Sequence, residues 1–425
     1  MKKYRLLPLY TKILIGMLLG IAVGYLFVAI GLASLVSDWI QPWGAIFIRL
    51  LKLIAVPLVF LSLIKGVAGM KDIGKLSGLG FKTISIYIAT TFFAVLLGLG
   101  MVNLVKPGRM ISSEQTVQYK EKFNVNVQPE QVEAIKHSKP LDFIVDIVPE
   151  NIISAGSNNS AMLQVIFVAL LFGIAIVLLG EKETEPFMNL VNSLDKIILQ
   201  IVELIMEFAP IGVLALMAGL IVDFAGDSSM FAALGLYAAT VVVSLLMLIL
   251  LFYSLMLRIF TKRNIPEYLK NIFPIQLLAF STSSSSATLP FTIEQSQKKL
   301  GISEEVSSFV LPLGATINMD GTSCYQVIAI FFIAQIFGID LSAAQMLTIV
   351  MLTILASIGT PGVPGGSMVM TVMVMSSVGI PIEGLALIVG IDRPLDMLRT
   401  VVNVTGDTFV ASVLDKNGSE SNPHA

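Results

Sequence analysis

Residues 272–291 read IFPIQLLAFSTSSSSATLPF. An apolar arm from Ile272 to Phe280 runs into the hydroxyl cluster Ser281-Thr282-Ser283-Ser284-Ser285-Ser286, and a second arm from Ala287 to Phe291 leaves it. A helix that crosses a bilayer needs about 20 apolar residues, and neither arm reaches that length. The stretch therefore reads as a hairpin that enters and leaves on one side of a membrane. Residues 345–378 repeat the device, with Gln345 to Ile358 and Met368 to Val378 flanking Gly359-Thr360-Pro361-Gly362-Val363-Pro364-Gly365-Gly366. A polar-interrupted span follows each hairpin: Phe309 to Phe337, carrying Asn318, Asp320, Gly321 and Thr322, and then Glu383 to Leu414. The last third of the chain is thus two copies of hairpin plus helix.

The rest of the sequence suits that reading. The chain has 425 residues, 55% hydrophobic and 13% charged, and a mean hydropathy of +0.86, too apolar for a soluble globular domain. Spans are expected at Ile13 to Leu32, Ala45 to Val67, Leu79 to Val105, Leu163 to Leu179, Ile197 to Val222 and Met230 to Phe260. With the two polar spans these make eight, so the fold class is an all-α polytopic membrane protein of eight transmembrane spans plus two re-entrant hairpins. The basic start Met1-Lys2-Lys3-Tyr4-Arg5 precedes a stretch long enough to span, which reads as a retained first helix. Lys106 to Pro140 reads as an extramembrane loop.

Loop charge orients the copies, because short Lys- and Arg-rich loops stay cytoplasmic. Arg258, Lys262, Arg263 and Lys270 on one side and Lys298 and Lys299 on the other root the first hairpin inside, as Lys71 and Lys75 root the turn between the second and third spans. The second hairpin is flanked by Asp340 and Glu383 with no Lys or Arg, which roots it outside. An inside-rooted copy followed by an outside-rooted copy is an inverted repeat, and transporters place their site near the midplane at such an interface. Both termini are expected in the cytoplasm and the chain in the plasma (inner) membrane.

A hairpin tip in hydrocarbon leaves backbone groups that lipid cannot satisfy, so it survives only inside protein or beside water. Small residues also let helices pack closely. Two tips opposed in topology, each followed by a buried carboxylate, favour a ligand cradle over packing alone. In the last span Asp392, Asp396, Arg399 or Thr400, Asn403 and Asp407 step by three or four and share one helix face. Asp396 and Arg399 alone would equally make an internal salt bridge. The longer stripe offers a guanidinium for a carboxylate and a carboxylate for an ammonium, which a zwitterion with a second acidic group would satisfy. Asn318 with Asp320, and Asn403 with Asp407, supply hard oxygen donors beside a glycine, in spans expected to unwind locally and bind alkali cations.

Other chemistries fail. His137 and His424 lie outside the spans and no G-x-S-x-G is present, so a serine hydrolase has no base. Transition-metal sites lack His and Cys, the lone Cys324 makes no disulfide within the chain, and no Walker A sequence exists. The net charge of -2 offers no basic surplus for nucleic acid. The methionines Met368, Met370, Met373 and Met375 read as packing.

Four segments in order, Ser283-Ser284-Ser285-Ser286-Ala287-Thr288-Leu289-Pro290, Gly314-Ala315-Thr316-Ile317-Asn318-Met319-Asp320-Gly321-Thr322, Ser357-Ile358-Gly359-Thr360-Pro361-Gly362-Val363-Pro364 and Asp396-Met397-Leu398-Arg399-Thr400-Val401-Val402-Asn403-Val404-Thr405-Gly406-Asp407, resemble the glutamate transporter family. That family comprises dicarboxylate and amino acid to cation symporters of prokaryotes and excitatory amino acid transporters of animals. The resemblance implies the glutamate transporter homologue fold as a homotrimer in the lipid bilayer. Residues 1–70 and 141–225 would be mainly scaffold, and 71–105 and 226–415 mainly a transport region that moves as an elevator. It implies that Arg399 holds a substrate side-chain carboxylate and Asp396 its amino group, with Thr322, Thr400, Asn403, Ser284, Ser285 and Val363 completing the pocket. It implies three co-transported Na⁺ sites: Gly314, Asn318, Asn403 and Asp407; Thr316, Met319, Ser357, Ile358 and Thr360; and Tyr87, Thr90, Thr91, Asn318 and Asp320. No organic cofactor and no enzymatic activity are implied.

The sequence departs from the family in two places. A second arginine usual at the first hairpin tip or directly after the Asp396 position is replaced by Ser283 and Met397, while Arg393 stands one turn upstream; Pro361 occupies a place where a small residue is expected. The expected function is Na⁺-coupled uptake of aspartate or glutamate. The alternatives are H⁺ coupling, a C4-dicarboxylate or neutral amino acid as substrate on the same fold, and a channel-like anion conductance.

Overall fold

The computed structural model describes residues 9–69, 77–122, 148–157, 162–223, 228–261, 263–360 and 366–415. Lys71, Lys75, Lys136, Lys139, Lys262 and both histidines lie outside them, as does the second tip from Pro361 to Gly365. Among the described residues every regular element is helical and there is no strand.

In chain order the helices are α1 (Leu9–Ala29), α2 (Gln41–Gly69), α3 (Ser77–Val105), α4 (Met162–Leu179), α5 (Glu181–Asp223) and α6 (Ser228–Met247). A π-helical turn, Leu248–Tyr253, and the helical segment Ser254–Thr261 prolong α6. Then come α7 (Ile265–Thr282), α8 (Ser285–Leu300), α9 (Glu304–Ile317), α10 (Asp320–Ile336), α11 (Ala343–Gly359), α12 (Gly366–Ser377) and α13 (Leu385–Leu414). Among the described residues six helical stretches are long and apolar enough to cross a membrane: Thr11–Ala29, Ala33–Lys65, Leu79–Met110, Glu181–Asp223, Ser228–Thr261 and Glu304–Ile336. The fourth expected span forms the 18-residue α4, and the eighth forms the 30-residue but charge-bearing α13.

Two packing groups emerge. Helices α1, α2, α4 and α5 pack chiefly on one another. Gly16, Gly20 and Gly24 line one face of α1, where a Cβ would run into the α5 backbone at Pro210 and Leu214 and the side chain of Ile221, so their absence of side chain lets the helices touch. Lys65 on α2 and Asp195 on α5 close this group with an ion pair. In the second group α13 is the hub: α6, α7, α8, α9 and α10 all pack on it, and α3 lies along α10. The groups meet where α13 crosses α5 and where α11 and α12 touch α2.

Gly390 sits at that crossing. A Cβ there would collide with Met217 on α5. Pro394, four residues on, has no N–H to offer the Gly390 carbonyl, so the α13 ladder is already weakened at the contact. We expect Gly390→Val to lower thermal stability in detergent by about 1–3 kcal/mol, the usual penalty of overpacking. Gly390→Val with Met217→Ala should regain most of it; no recovery in the double variant would show that the contact is unimportant.

The segment expected as a plain loop after α3 is partly ordered. Pro107–Met110 forms a 3-10 turn and Ser113–Lys122 an α-helix. The turn docks on α6 and α10, where the Gly108 N–H donates to Gln335 Oε1 at 3.0 Å. Its polarity hid this because the binding is by backbone and amide groups rather than by an apolar face.

Candidate functional site

The site begins at a break in a long helical stretch. Helix α9 ends at Ile317, Asn318 is extended (φ -88°, ψ 90°), Met319 is also non-helical, and α10 restarts at Asp320. Asp320 in the first turn of α10 suits the positive end of the helix dipole. The break turns Asn318 and Asp320 toward neighbouring helices instead of leaving them spaced around one cylinder. Helix α13, in contrast, is continuous from Leu385 to Leu414. The expected unwinding near Asn403 and Asp407 therefore does not occur: the helical spacing alone brings their side chains to the break, and only α9–α10 needs to open.

Where the two elements meet, Asn318 Nδ2 donates to Asp407 Oδ1 at 2.9 Å and reaches the Asn403 carbonyl at 3.4 Å. Asn403 Oδ1 accepts from the Gly321 N–H at 2.9 Å, and its Nδ2 lies 3.2 Å from Met319 Sδ and 3.3 Å from Thr322 Oγ1. Asp320 accepts hydrogen bonds from the hydroxyls of Thr91 and Tyr253, each at 2.6 Å. Tyr87 donates to the Val310 carbonyl at 3.0 Å and Thr90 to the Tyr87 carbonyl at 3.1 Å. A Cβ at Gly314 would strike both Asp407 Oδ1 and the Tyr87 hydroxyl, so glycine keeps this oxygen-lined corner open.

Charge is the notable property here. Asp320 is 0% and Asp407 2% exposed, yet among the described residues neither has an ion pair with Lys or Arg. Buried Asn318 Oδ1 has no protein partner either. Uncompensated buried carboxylates cost several kcal/mol each, and this oxygen-lined corner holds two of them.

One to two turns along α13 lies a second cluster. Arg399, 0% exposed, donates Nη1 to Asp392 Oδ1 at 2.9 Å and Nη2 to Asp396 Oδ1 at 2.8 Å. Its guanidinium lies 3.8 Å above the Tyr325 ring, a cation–π contact. Arg393 Nη1 donates to the other oxygen of Asp396 at 2.9 Å. The internal salt bridge between Asp396 and Arg399 thus exists, within a four-member network. Thr400 turns its hydroxyl back onto the Asp396 carbonyl at 2.9 Å.

The α7–α8 pair reaches α13 through Gln276 Nε2 to Thr405 Oγ1 at 3.0 Å and the Tyr268–Thr408 hydroxyl pair at 2.9 Å. At its tip Ser283 takes a left-handed conformation (φ 51°) that ends α7, and Ser284 caps α8 by accepting from the Ala287 N–H at 3.1 Å. Ser285 is buried at the start of α8. From α11, Ser357 donates to the Ile317 carbonyl at 3.0 Å, beside the helix break. Exposed Thr316 and buried Thr360 bond carbonyls of their own helices, Leu313 at 2.8 Å and Ala356 at 2.6 Å, and Ile358 is half-buried. Val363 lies outside the described residues.

Sequence reasoning overlooked Tyr253, Tyr325 and the grip of Asp392 on Arg399. Asp392 was legible, since a residue seven positions before Arg399 lies two turns along the same face. The tyrosines were not, because no spacing links residue 253 or 325 to its partner.

The profile of the Sodium:dicarboxylate symporter family matches residues 9–417. The proton/sodium-glutamate symport protein of Bacillus caldotenax is 36% identical over 414 residues, covering 97% of this chain and 95% of its own. The proton/glutamate-aspartate symporter of Escherichia coli is 35% identical over 413 residues, covering 95% and 92%. Excitatory amino acid transporter 3 of Mus musculus is 34% identical over 461 residues, covering 97% and 85%. The match to a symporter family over nearly the whole chain, together with the six described helices long and apolar enough to cross a membrane, makes this a multi-pass membrane transporter rather than an enzyme. The chain belongs to the sodium:dicarboxylate symporter family.

Proposed function

We propose that this chain is a secondary active symporter that takes up aspartate or glutamate together with Na⁺. The observation that carries the reading is the pairing of two unlike clusters on α13: a guanidinium network at Arg399 and, at Asp320 and Asp407, buried carboxylates without a basic partner. The first suits an acidic amino acid and the second its cation. The names of the relatives, which couple glutamate or aspartate to proton or sodium, support the substrate class.

In this reading Arg399 takes the side-chain carboxylate and Asp396 the ammonium, while Thr322, Thr400, Asn403 and the tip residues Ser284, Ser285 and Val363 close the pocket. Na⁺ is held by Gly314, Asn318, Asn403 and Asp407, by Tyr87, Thr90, Thr91, Asn318 and Asp320, and by Thr316, Met319, Ser357, Ile358 and Thr360. The α7–α8 and α11–α12 pairs act as re-entrant hairpins of an inverted repeat and as gates. The group around α13 slides as an elevator against a trimeric scaffold of α1, α2, α4 and α5, with both termini in the cytoplasm of a cell bounded by this plasma membrane.

Proton coupling is the second reading, favoured by the relatives named for protons. Purified protein in liposomes separates them. Labelled aspartate should accumulate against its gradient only when Na⁺ is imposed outside; uptake driven equally by a pH gradient alone would sink Na⁺ coupling, and purely downhill flux would point to a channel.

A further inference from the structure

We propose that Arg393 is a positioning residue for the ligand: by holding Asp396 it allows Arg399 to exchange a protein carboxylate for a substrate carboxylate. The role rests on Arg399 being the carboxylate holder, as set out above.

Both terminal nitrogens of Arg399 are occupied by the protein, one by Asp392 and one by Asp396. The Nε of Arg399 has no partner, so a ligand carboxylate that grips the guanidinium side-on, through Nε and Nη2, takes the place of Asp396 on Nη2. The two bonds are not equivalent. Among the described residues Asp392 has Arg399 as its one ion-pair partner, whereas Asp396 has Arg393 on its second oxygen at 2.9 Å. Opening the Arg399–Asp392 bond would leave buried Asp392 with the Tyr325 side chain but no cation; opening the Arg399–Asp396 bond leaves Asp396 paired with Arg393. A zwitterionic acid can therefore insert into the Arg399–Asp396 bridge. Nη2 of Arg399 turns to the side-chain carboxylate and Oδ1 of Asp396 becomes available to the ammonium, one pair being exchanged for two.

Among the described residues no other cation pairs with the second oxygen of Asp396. The small cavity beside Asp392, Arg393 and Asp396 is walled by Ile13, Phe47, Met206 and Val213 from α1, α2 and α5, all apolar. Arg393 itself is buried, and its Nε has no partner, so the residue reaches into the site for the sake of one contact, the carboxylate of Asp396. Two arginines and two aspartates also leave the network neutral before ligand arrives. Loss of Arg393 would give it a net negative charge and fasten Asp396 to Arg399, both adverse to an incoming acid.

The test is equilibrium binding of aspartate, succinate and asparagine to the purified full chain in sodium buffer, for wild type, Arg393→Gln and Arg393→Lys, with monodispersity checked by size exclusion. Arg393→Gln should weaken aspartate and succinate about tenfold to a hundredfold, the loss of one charge-assisted bond. Asparagine, which does not call on Arg399, should change less than about threefold. Arg393→Lys, keeping the cation, should lose less than Arg393→Gln. Equal loss for all three ligands would reduce Arg393 to a structural tie, and unchanged acid binding would remove it altogether. If the Gln variant aggregates, the aspartate-to-asparagine ratio of the Lys variant decides, an unchanged ratio overturning the proposal. Wild type that binds succinate but not aspartate would retire the amino acid reading, with the effect of Arg393 then read on succinate.

Discussion

Replacing Arg399 with cysteine should cut aspartate uptake into liposomes under an inward Na⁺ gradient by at least about a hundredfold, in line with removing one side of a buried charge pair. The expectation follows from what the substitution leaves behind. Asp392 loses its one ion-pair partner and Asp396 keeps only Arg393, so the network turns net negative where a substrate carboxylate must sit. Tyr325 loses the cation above its ring as well. Neutral amino acids, which need no guanidinium, should be spared or gained. Initial rates of labelled aspartate and serine uptake in liposomes give the measurement. Unchanged aspartate affinity would take Arg399 out of the site.

Asp407→Asn should separate cation binding from folding. Wild-type protein should be stabilised by its driving cation by about 2.7 kcal/mol at a hundred times the dissociation constant, since only the folded chain assembles the oxygen corner. In the variant the share of that gain that comes from the Asp407 site should vanish. Melting in cation-free buffer should move the other way: the uncompensated buried charge is gone, while the amide can still meet Asn318. A melting series against Na⁺, with choline as control, reads both effects. A wild-type-sized Na⁺ shift in the variant would exclude Asp407 as a ligand.

Much of this site was legible because helices impose a fixed period. The stripe from Asp392 to Asp407 lies on one face of α13, and every member is buried. The break at Asn318 was foreshadowed by polar residues beside Gly321. Legibility ended where contacts depend on how helices cross. Tyr253 meets Asp320 from a π-helical turn, and such a turn shifts side-chain azimuth in a way no apolar pattern encodes. The supposed second opening in α13 failed for a simpler reason: one broken helix suffices when the other already points its donors inward. The polar stretch after α3 hid the helix Ser113–Lys122 because its few apolar residues make no periodic face.

The charged face of α13 also constrains how the protein is made. Asp392, Arg393, Asp396, Arg399 and Asp407 each cost about 2.5–3.5 kcal/mol at the centre of an isolated membrane helix. Helix α13 is long enough to span, but alone it would be rejected by lipid. Its insertion must be a cooperative act of biogenesis, completed when α6 to α10 have surrounded it and its charges have found one another. A chain that carries α13 without α6 to α10 should therefore fail to insert that helix into the hydrocarbon.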